Sequence, residues 1–294
     1  MKQWFREYKN ALKMLEVEEV FDLILYRPLA FLLVKIVYPT NITPNQLTLI
    51  AVFFGLVGGV CYAMGTPEYF FIGGILYILY DVFDCSDGQL ARIKKNGTKT
   101  GRIIDGVADY IATIAAYIGI GIGFAGNTAE PGYFWMLTVL AGASSAVLSI
   151  LLDYYRNRFL DIVLERESVL ETELREFTEE YDRIKTMKGK YFDKALLKVY
   201  LKYSNFQVKM AKGKEESKKI DVDSKLYYAK NKTLIHLWSY VGPTTQLTFM
   251  IFCSLVNRMD IYLYGMITVF PVYALIVYLK QNSVDKALKI KGSK

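Results

Sequence analysis

The sequence has 294 residues, of which 53% are hydrophobic, 15% aromatic and 22% charged, with a formal net charge of +7. Its apolar residues gather in runs too long for soluble strands or ordinary core helices, which excludes a soluble protein of one or two domains. In a membrane protein a positive balance reflects basic residues kept on the cytoplasmic side beside anionic lipid, so no nucleic-acid partner is expected.

Met1 to Tyr26 is charged and lacks the apolar core of a cleavable signal, so insertion is expected to rest on internal spans. Trp4, Tyr8, Leu12, Leu15 and Phe21 recur at helical spacing between charges, which predicts an interfacial amphipathic helix over Trp4–Tyr26. Leu29–Tyr38 is too short to span and is expected to lie along the membrane surface. Thr43-Pro44-Asn45-Gln46 then marks a helix start: Thr43 caps, Pro44 fits the first position and Gln46 reaches back.

A bilayer crossing needs about 20 apolar residues. Six segments approach that length: Pro44–Met64, Phe70–Arg92, Gly101–Ala125, Tyr133–Tyr155, His236–Val256 and Tyr262–Lys280. The predicted fold is therefore all-α and polytopic, divided into 1–42 (interfacial helices), 43–155 (spans one to four), 156–235 (a charged cytoplasmic helical insertion) and 236–294 (spans five and six with a tail). The connections at 65–69, 126–132 and 257–261 hold one basic residue, Arg258, whereas the opposite side carries the lysines and arginines. Both termini are accordingly expected in the cytoplasm. Within the insertion, 160–184 has helical periodicity with opposite charges such as Glu171 and Arg175 one turn apart, and 213–225 reads as a loop. Its charges read as a solvated surface, with lipid or partner binding as the alternative. Cys61, Cys85 and Cys253 have no metal-ligand spacing and read as small apolar residues. The abundant tyrosines and phenylalanines read as lipid-facing residues and interfacial belt.

Carboxylates at the edge of the hydrocarbon are costly and point to a site. Asp84 and Asp87 stand three apart near the end of span two, Asp105 and Asp109 four apart at the start of span three, so each pair shares a helix face. Four converging carboxylates cannot all stay ionised without cations. Oxygen ligands without His or Cys favour Mg2+, Mn2+ or Ca2+ over zinc. Two such ions would suit a diphosphate substrate. Gly88 and Ala91 share the aspartate face, where small residues let a substrate approach, and Arg92 is placed to bind phosphate.

The run Asp84-x-x-Asp87-Gly88-x-x-Ala91-Arg92, eight residues, then Gly101-x-x-x-Asp105-x-x-x-Asp109 resembles the signature of the CDP-alcohol phosphotransferase family at every fixed position. That resemblance implies six transmembrane helices, a cytosolic-facing site, and transfer of a substituted phosphate from a CDP-alcohol to an acceptor alcohol with release of CMP. It further implies two Mg2+ or Mn2+ ions bridged by Asp84 and Asp105, with Asp87 completing one site and Asp109 the other. Asp109 would also be the general base. Gly88, Ala91, Arg92, Gly101 and the Thr43-Pro44-Asn45 opening would meet the CDP portion, and the protein would be a homodimer in the membrane.

Tyr154-x-Arg156-x-Arg158 resembles family members whose acceptor is a phosphorylated polyol; ordinary positive-inside anchoring accounts for it equally. Lys230 and Lys232 are candidates to join that site, while His236 is expected to pack at the interface. Asp81, one turn deeper than Asp84, reads either as a support for the site or as a pore-lining residue. A structural salt-bridge network with Arg92 and Arg102 is the plain alternative for the aspartates. The favoured donor is CDP-diacylglycerol, with inositol phosphate, glycerol phosphate or serine as acceptor. The alternatives are a soluble donor (CDP-inositol, CDP-choline or CDP-ethanolamine) and a divalent-cation transporter. A transporter needs a polar path through the bilayer, yet 70–80 and 111–124 carry no strong acid.

Overall fold

The computed structural model describes residues 17–165, 169–187, 189–212 and 223–288. Among them the chain is helical: α1 (Arg27–Val37) follows one wide turn at Asp22–Tyr26. Then come α2 (Pro44–Met64), α3 (Pro67–Lys94), α4 (Lys99–Ala125), α5 (Pro131–Val163), α6 (Val169–Lys185), α7 (Tyr191–Lys212), α8 (Ser224–Ser239), α9 (Pro243–Leu255), α10 (Met259–Ile267) and α11 (Val269–Ala287). Proline opens α2, α3, α5 and α9, where its missing N–H costs nothing. At the start of α2 the Thr43 amide donates to Gln46 Oε1 at 2.9 Å while Gln46 N donates back to the Thr43 hydroxyl at 3.4 Å.

Among the described residues five helical stretches are long and apolar enough to cross a membrane: α2, α3, α4, α5, and α10–α11 taken together over Met259–Ala287. The predicted fifth span, 236–256, is not one helix. Pro243 cannot donate a hydrogen bond and pushes Gly242 into an extended conformation, so the chain breaks between α8 and α9. The 13 residues of α9 alone reach only about 20 Å. Span four outruns its predicted end, since α5 continues from Tyr155 to Val163. The predicted insertion therefore begins on one long helix and ends on another, with α6 and α7 as its hairpin; 213–222 of the expected loop lies outside the described residues.

The centre of the bundle is α2, packed along both α3 and α4. Glycine makes this possible. A Cβ on Gly119 would stand 2.1 Å from the Gly59 carbonyl oxygen, and one on Gly59 would stand 2.6 Å from that of Ala115. Backbones this close exchange dispersion contacts that larger residues would prevent. On the other side, α5 joins α8 through stacked Tyr155 and Trp238 rings, 4.4 Å between centroids, and α4 joins α10 through the Tyr117 and Tyr262 hydroxyls at 2.7 Å.

The predicted amphipathic helix over Trp4–Tyr26 falls largely on residues 1–16, outside the described residues. Its described end differs from a surface helix, because Glu18, Glu19 and Asp22 are buried. Glu18 pairs with Arg27 at 2.8 Å. Glu19 Oε2 accepts from the Thr245 amide at 3.0 Å, supplying from the far end of the chain the cap that α9 lacks in its own sequence. After Arg27, α1 buries Ala30, Phe31 and Val34 against the bundle and leaves Leu32 and Ile36 exposed.

Burial, reinforced by the neighbouring Asp22 carboxylate, pushes the Glu19 carboxyl up to about 8, against the pull of backbone amides at Thr245 and Thr244. The folded state thus binds a proton that the unfolded chain releases near its ordinary value. Stability from this group is complete below about pH 4.5 and is lost as pH rises through about 8. Thermal scans of the purified protein between those limits are expected to show a falling midpoint, and Glu19→Gln, which accepts the same hydrogen bonds, is expected to flatten the slope. An unchanged slope in the variant would assign the dependence to another group.

Candidate active site

The motif residues sit where α3 and α4 face one another beside α2. The turn between them is short: Lys95 adopts a left-handed conformation at the end of α3, and the Thr98 hydroxyl accepts from Gly101 N at 2.9 Å to start α4. The helical period then carries Asp105 and Asp109 along one face of α4 and Asp84 and Asp87 along one face of α3.

Asp84, Asp105 and Asp109 each offer a carboxylate oxygen, and these oxygens lie within 4.8 Å of one another. Asp84 Oδ1 is buried and accepts no hydrogen bond from the described residues. Like charges held this close around an oxygen with no donor are costly unless a cation satisfies them. The donor set, carboxylates alone, suits a hard divalent ion.

Asp87 stands beside this trio rather than within it. It is buried, accepts a short hydrogen bond from the Thr48 hydroxyl of α2, and lies within electrostatic reach of Asp105 and Asp109. Asp109 Oδ1 accepts from the Tyr80 hydroxyl at 2.9 Å. Tyr77, one turn deeper than Asp81 on the same helix, donates to the Ala112 carbonyl at 3.0 Å. Sequence reasoning missed Thr48 and Tyr80. Tyr80 lies four residues before Asp84, so helical spacing carried the signal, but a tyrosine in an apolar run reads first as part of the interfacial belt.

Two features tie the opening of α2 to this site. A methyl group on Gly101 would stand 2.8 Å from Asn45 Oδ1 and 3.0 Å from Thr98 Oγ1, so the Thr43-Pro44-Asn45 end and the start of α4 meet there. At Gly88 the nearest atoms a Cβ would meet belong to the Arg92 guanidinium, at 3.4 Å, which leaves an approach to the α3 backbone lined by a cation. Ala91 faces Gly97, where a Cβ would lie 3.3 Å from that of Ala91.

Asp81 belongs to a second group. It offers an oxygen within 4.8 Å of Asp22 and Cys85, and remains within electrostatic reach of Asp84 and Asp109.

The basic residues at the end of α5 divide. Arg156 pairs with the exposed Asp153. Arg158 pairs with Asp285 of α11 at 2.9 Å, with the side chains 16% and 2% exposed. Gln281 donates to Asp285 at 3.0 Å and to Asn231 of α8 at 2.7 Å, so three helices meet at this pair. Lys230, Lys232 and His236 are exposed on α8. Removing one partner of a buried pair strands a charge, at a cost of about 3–5 kcal/mol. Asp285→Ala is therefore expected to lower the thermal midpoint sharply, and Arg158→Met with Asp285→Leu to recover most of the loss. A double variant no more stable than Asp285→Ala would assign the loss elsewhere.

Residues 41–168 match the family model described as CDP-alcohol phosphatidyltransferase. A phosphatidylinositol phosphate synthase of Corynebacterium glutamicum is 33% identical over 94 residues, covering 32% of this chain and 40% of that protein. A bifunctional IPC transferase and DIPP synthase of Thermococcus kodakarensis is 27% identical over 119 residues, covering 40% of this chain and 25% of its own length. This chain thus spans well under half the length of either relative. Apolar helices of membrane-spanning length and the acidic signature on facing helices accompany this likeness to the CDP-alcohol phosphatidyltransferase family over residues 41–168.

Proposed function

We propose that the protein transfers a substituted phosphate from a CDP-alcohol to an acceptor alcohol and releases CMP, at the cytoplasmic face of the membrane. The observation that carries this reading is the convergence of the Asp84, Asp105 and Asp109 carboxylates around a buried oxygen with no donor. Asp84, Asp87, Asp105 and Asp109 would hold two Mg2+ or Mn2+ ions, whose chemistry would be to neutralise the diphosphate and the departing phosphate oxygen. Gly88, Ala91 and Arg92 bind the cytidine diphosphate together with Gly101 and the Thr43-Pro44-Asn45 turn. Asp109 takes the proton of the acceptor hydroxyl as its oxygen bonds to the donor's distal phosphorus and the bond from that phosphorus to the CMP oxygen breaks. The Tyr80 hydroxyl, which donates to Asp109 Oδ1, fixes the carboxylate rotamer for this task. The protein works as a homodimer with both termini in the cytoplasm.

The favoured donor is CDP-diacylglycerol, entering from the bilayer, with a phosphorylated polyol such as inositol phosphate or glycerol phosphate as acceptor; serine would fill the same role without a phosphate. The similarity to a phosphatidylinositol phosphate synthase supports it. Of the two arginines considered for the acceptor phosphate, Arg156 is the one paired at the surface, while Arg158 contributes through its bond to Asp285. In the second reading a soluble CDP-alcohol is the donor. Incubation of the purified protein and Mg2+ with a panel of CDP-alcohols and acceptors, read as CMP release, tests both. CMP released only with soluble donors replaces the first reading by the second. Cation uptake into liposomes with no CMP from any pair replaces both by a transporter.

A further inference from the structure

Among the described residues, the α6–α7 hairpin packs against α4 around Ile103. Ile103 of α4 packs with Phe177, Ile184 and Leu197 in a small buried cluster. Around it, Glu176 accepts from Arg102 at 2.8 Å, Lys99 donates to the Glu176 carbonyl at 2.8 Å, and the Arg102 guanidinium lies 5.2 Å from the Phe177 ring centre. Ile103 is one turn into a helix long and apolar enough to cross a membrane. The hairpin is therefore held at the level where α4 leaves the hydrocarbon, in the headgroup layer.

Its two helices divide charge unequally. The α6 sequence has six acids and three bases, and the α7 sequence five lysines and one aspartate. With Leu197 turned into the cluster, described residues on the opposite side of α7 are exposed: Tyr191, Phe192 and Val199 at 79%, 67% and 68%. Lys198 and Lys202 are exposed on the same side, and Lys194 lies 5.8 Å from the Tyr191 ring centre. Exposed apolar side chains scattered singly need no explanation, but several on one face among lysines match a helix lying in a lipid interface.

We infer that this face of α7 docks onto the anionic headgroup layer of the membrane that α4 enters. Tyr191, Phe192 and Val199 insert at the acyl boundary, Lys194, Lys198 and Lys202 meet lipid phosphates, and the acidic α6 stays toward water. The charge division selects lipid over a protein partner, because a leaflet presents negative charge along the whole helix.

The test uses the full chain in nanodiscs of phosphatidylcholine alone or with added phosphatidylglycerol. Nitroxide labels are placed at Phe192→Cys, Val199→Cys and, as an aqueous control on α6, Glu179→Cys; the chain with only its native cysteines gives the background. With anionic lipid, labels at 192 and 199 are expected to collide more often with oxygen than with a soluble nickel chelate, and the label at 179 the reverse. Adding Lys198→Glu and Lys202→Glu is expected to return 192 and 199 to water. Labels at 192 and 199 that are aqueous in anionic discs overturn the inference. So do labels shielded from both quenchers, which would mean a protein surface, and a membrane depth indifferent to the lysine reversals.

Discussion

Asp109→Asn is expected to reduce CMP release by at least ~10^3-fold, within the range that loss of a positioned general base produces. The substitution is chosen because it spares the scaffold. The carbonyl of the introduced amide can still accept the Tyr80 hydrogen bond that Asp109 Oδ1 accepts at 2.9 Å, so the rotamer and the facing of α3 and α4 survive. What disappears is the charge that, under the proposed function, would take a proton and help the Asp84, Asp105 and Asp109 group hold a cation. The purified variant should therefore keep the thermal midpoint of the parent in detergent while losing turnover. Retention of more than about a tenth of the parent rate would remove Asp109 from the base's role.

Gly119→Val is expected to produce a large loss of stability at the contact between α2 and α4. Overpacking typically costs about 1–3 kcal/mol when side chains can yield. Here the first atom met is a backbone oxygen, that of Gly59, only 2.1 Å from the new Cβ, and the Gly59 carbonyl carbon follows at 2.9 Å. The helices must separate, so the cost should exceed that range and lower the midpoint by roughly 10 °C. Gly132→Ala, whose Cβ would meet nothing within 4 Å, is the matched control. If both variants melt alike, the glycine contact does not hold the bundle together.

The acidic signature was legible because its information is local: spacings of three and four residues put side chains on one helix face whatever the rest of the chain does. Proline and capping signals at Thr43–Gln46 were legible for the same reason. The break before Pro243 was visible as a residue but outvoted by the apolar window around it. Arg158 shows the opposite limit. Its partner Asp285 is 127 positions away, beyond any periodicity, and a lone arginine at a membrane exit reads as an anchor or as an anion site until the partner is in place. Glu18, Glu19 and Asp22 looked like the wet side of a surface helix because their burial depends on Arg27 and on a helix start near the other end of the sequence. The hairpin's seat on Ile103 had no sequence signal, since one isoleucine in an apolar span resembles its neighbours.

The cap that Glu19 supplies to α9 has a consequence for biosynthesis. Donor and acceptor are 226 positions apart. At about 5–20 residues per second, a ribosome makes the amide roughly 10–45 s after the carboxylate. During that wait Glu19 lacks its Thr245 partner, while Glu18 can already pair with Arg27 and Asp22 can accept from Cys85. The N-terminal segment is thus complete only once the start of α9 has been made, and a chain that stalls before Thr245 leaves Glu19 without this partner.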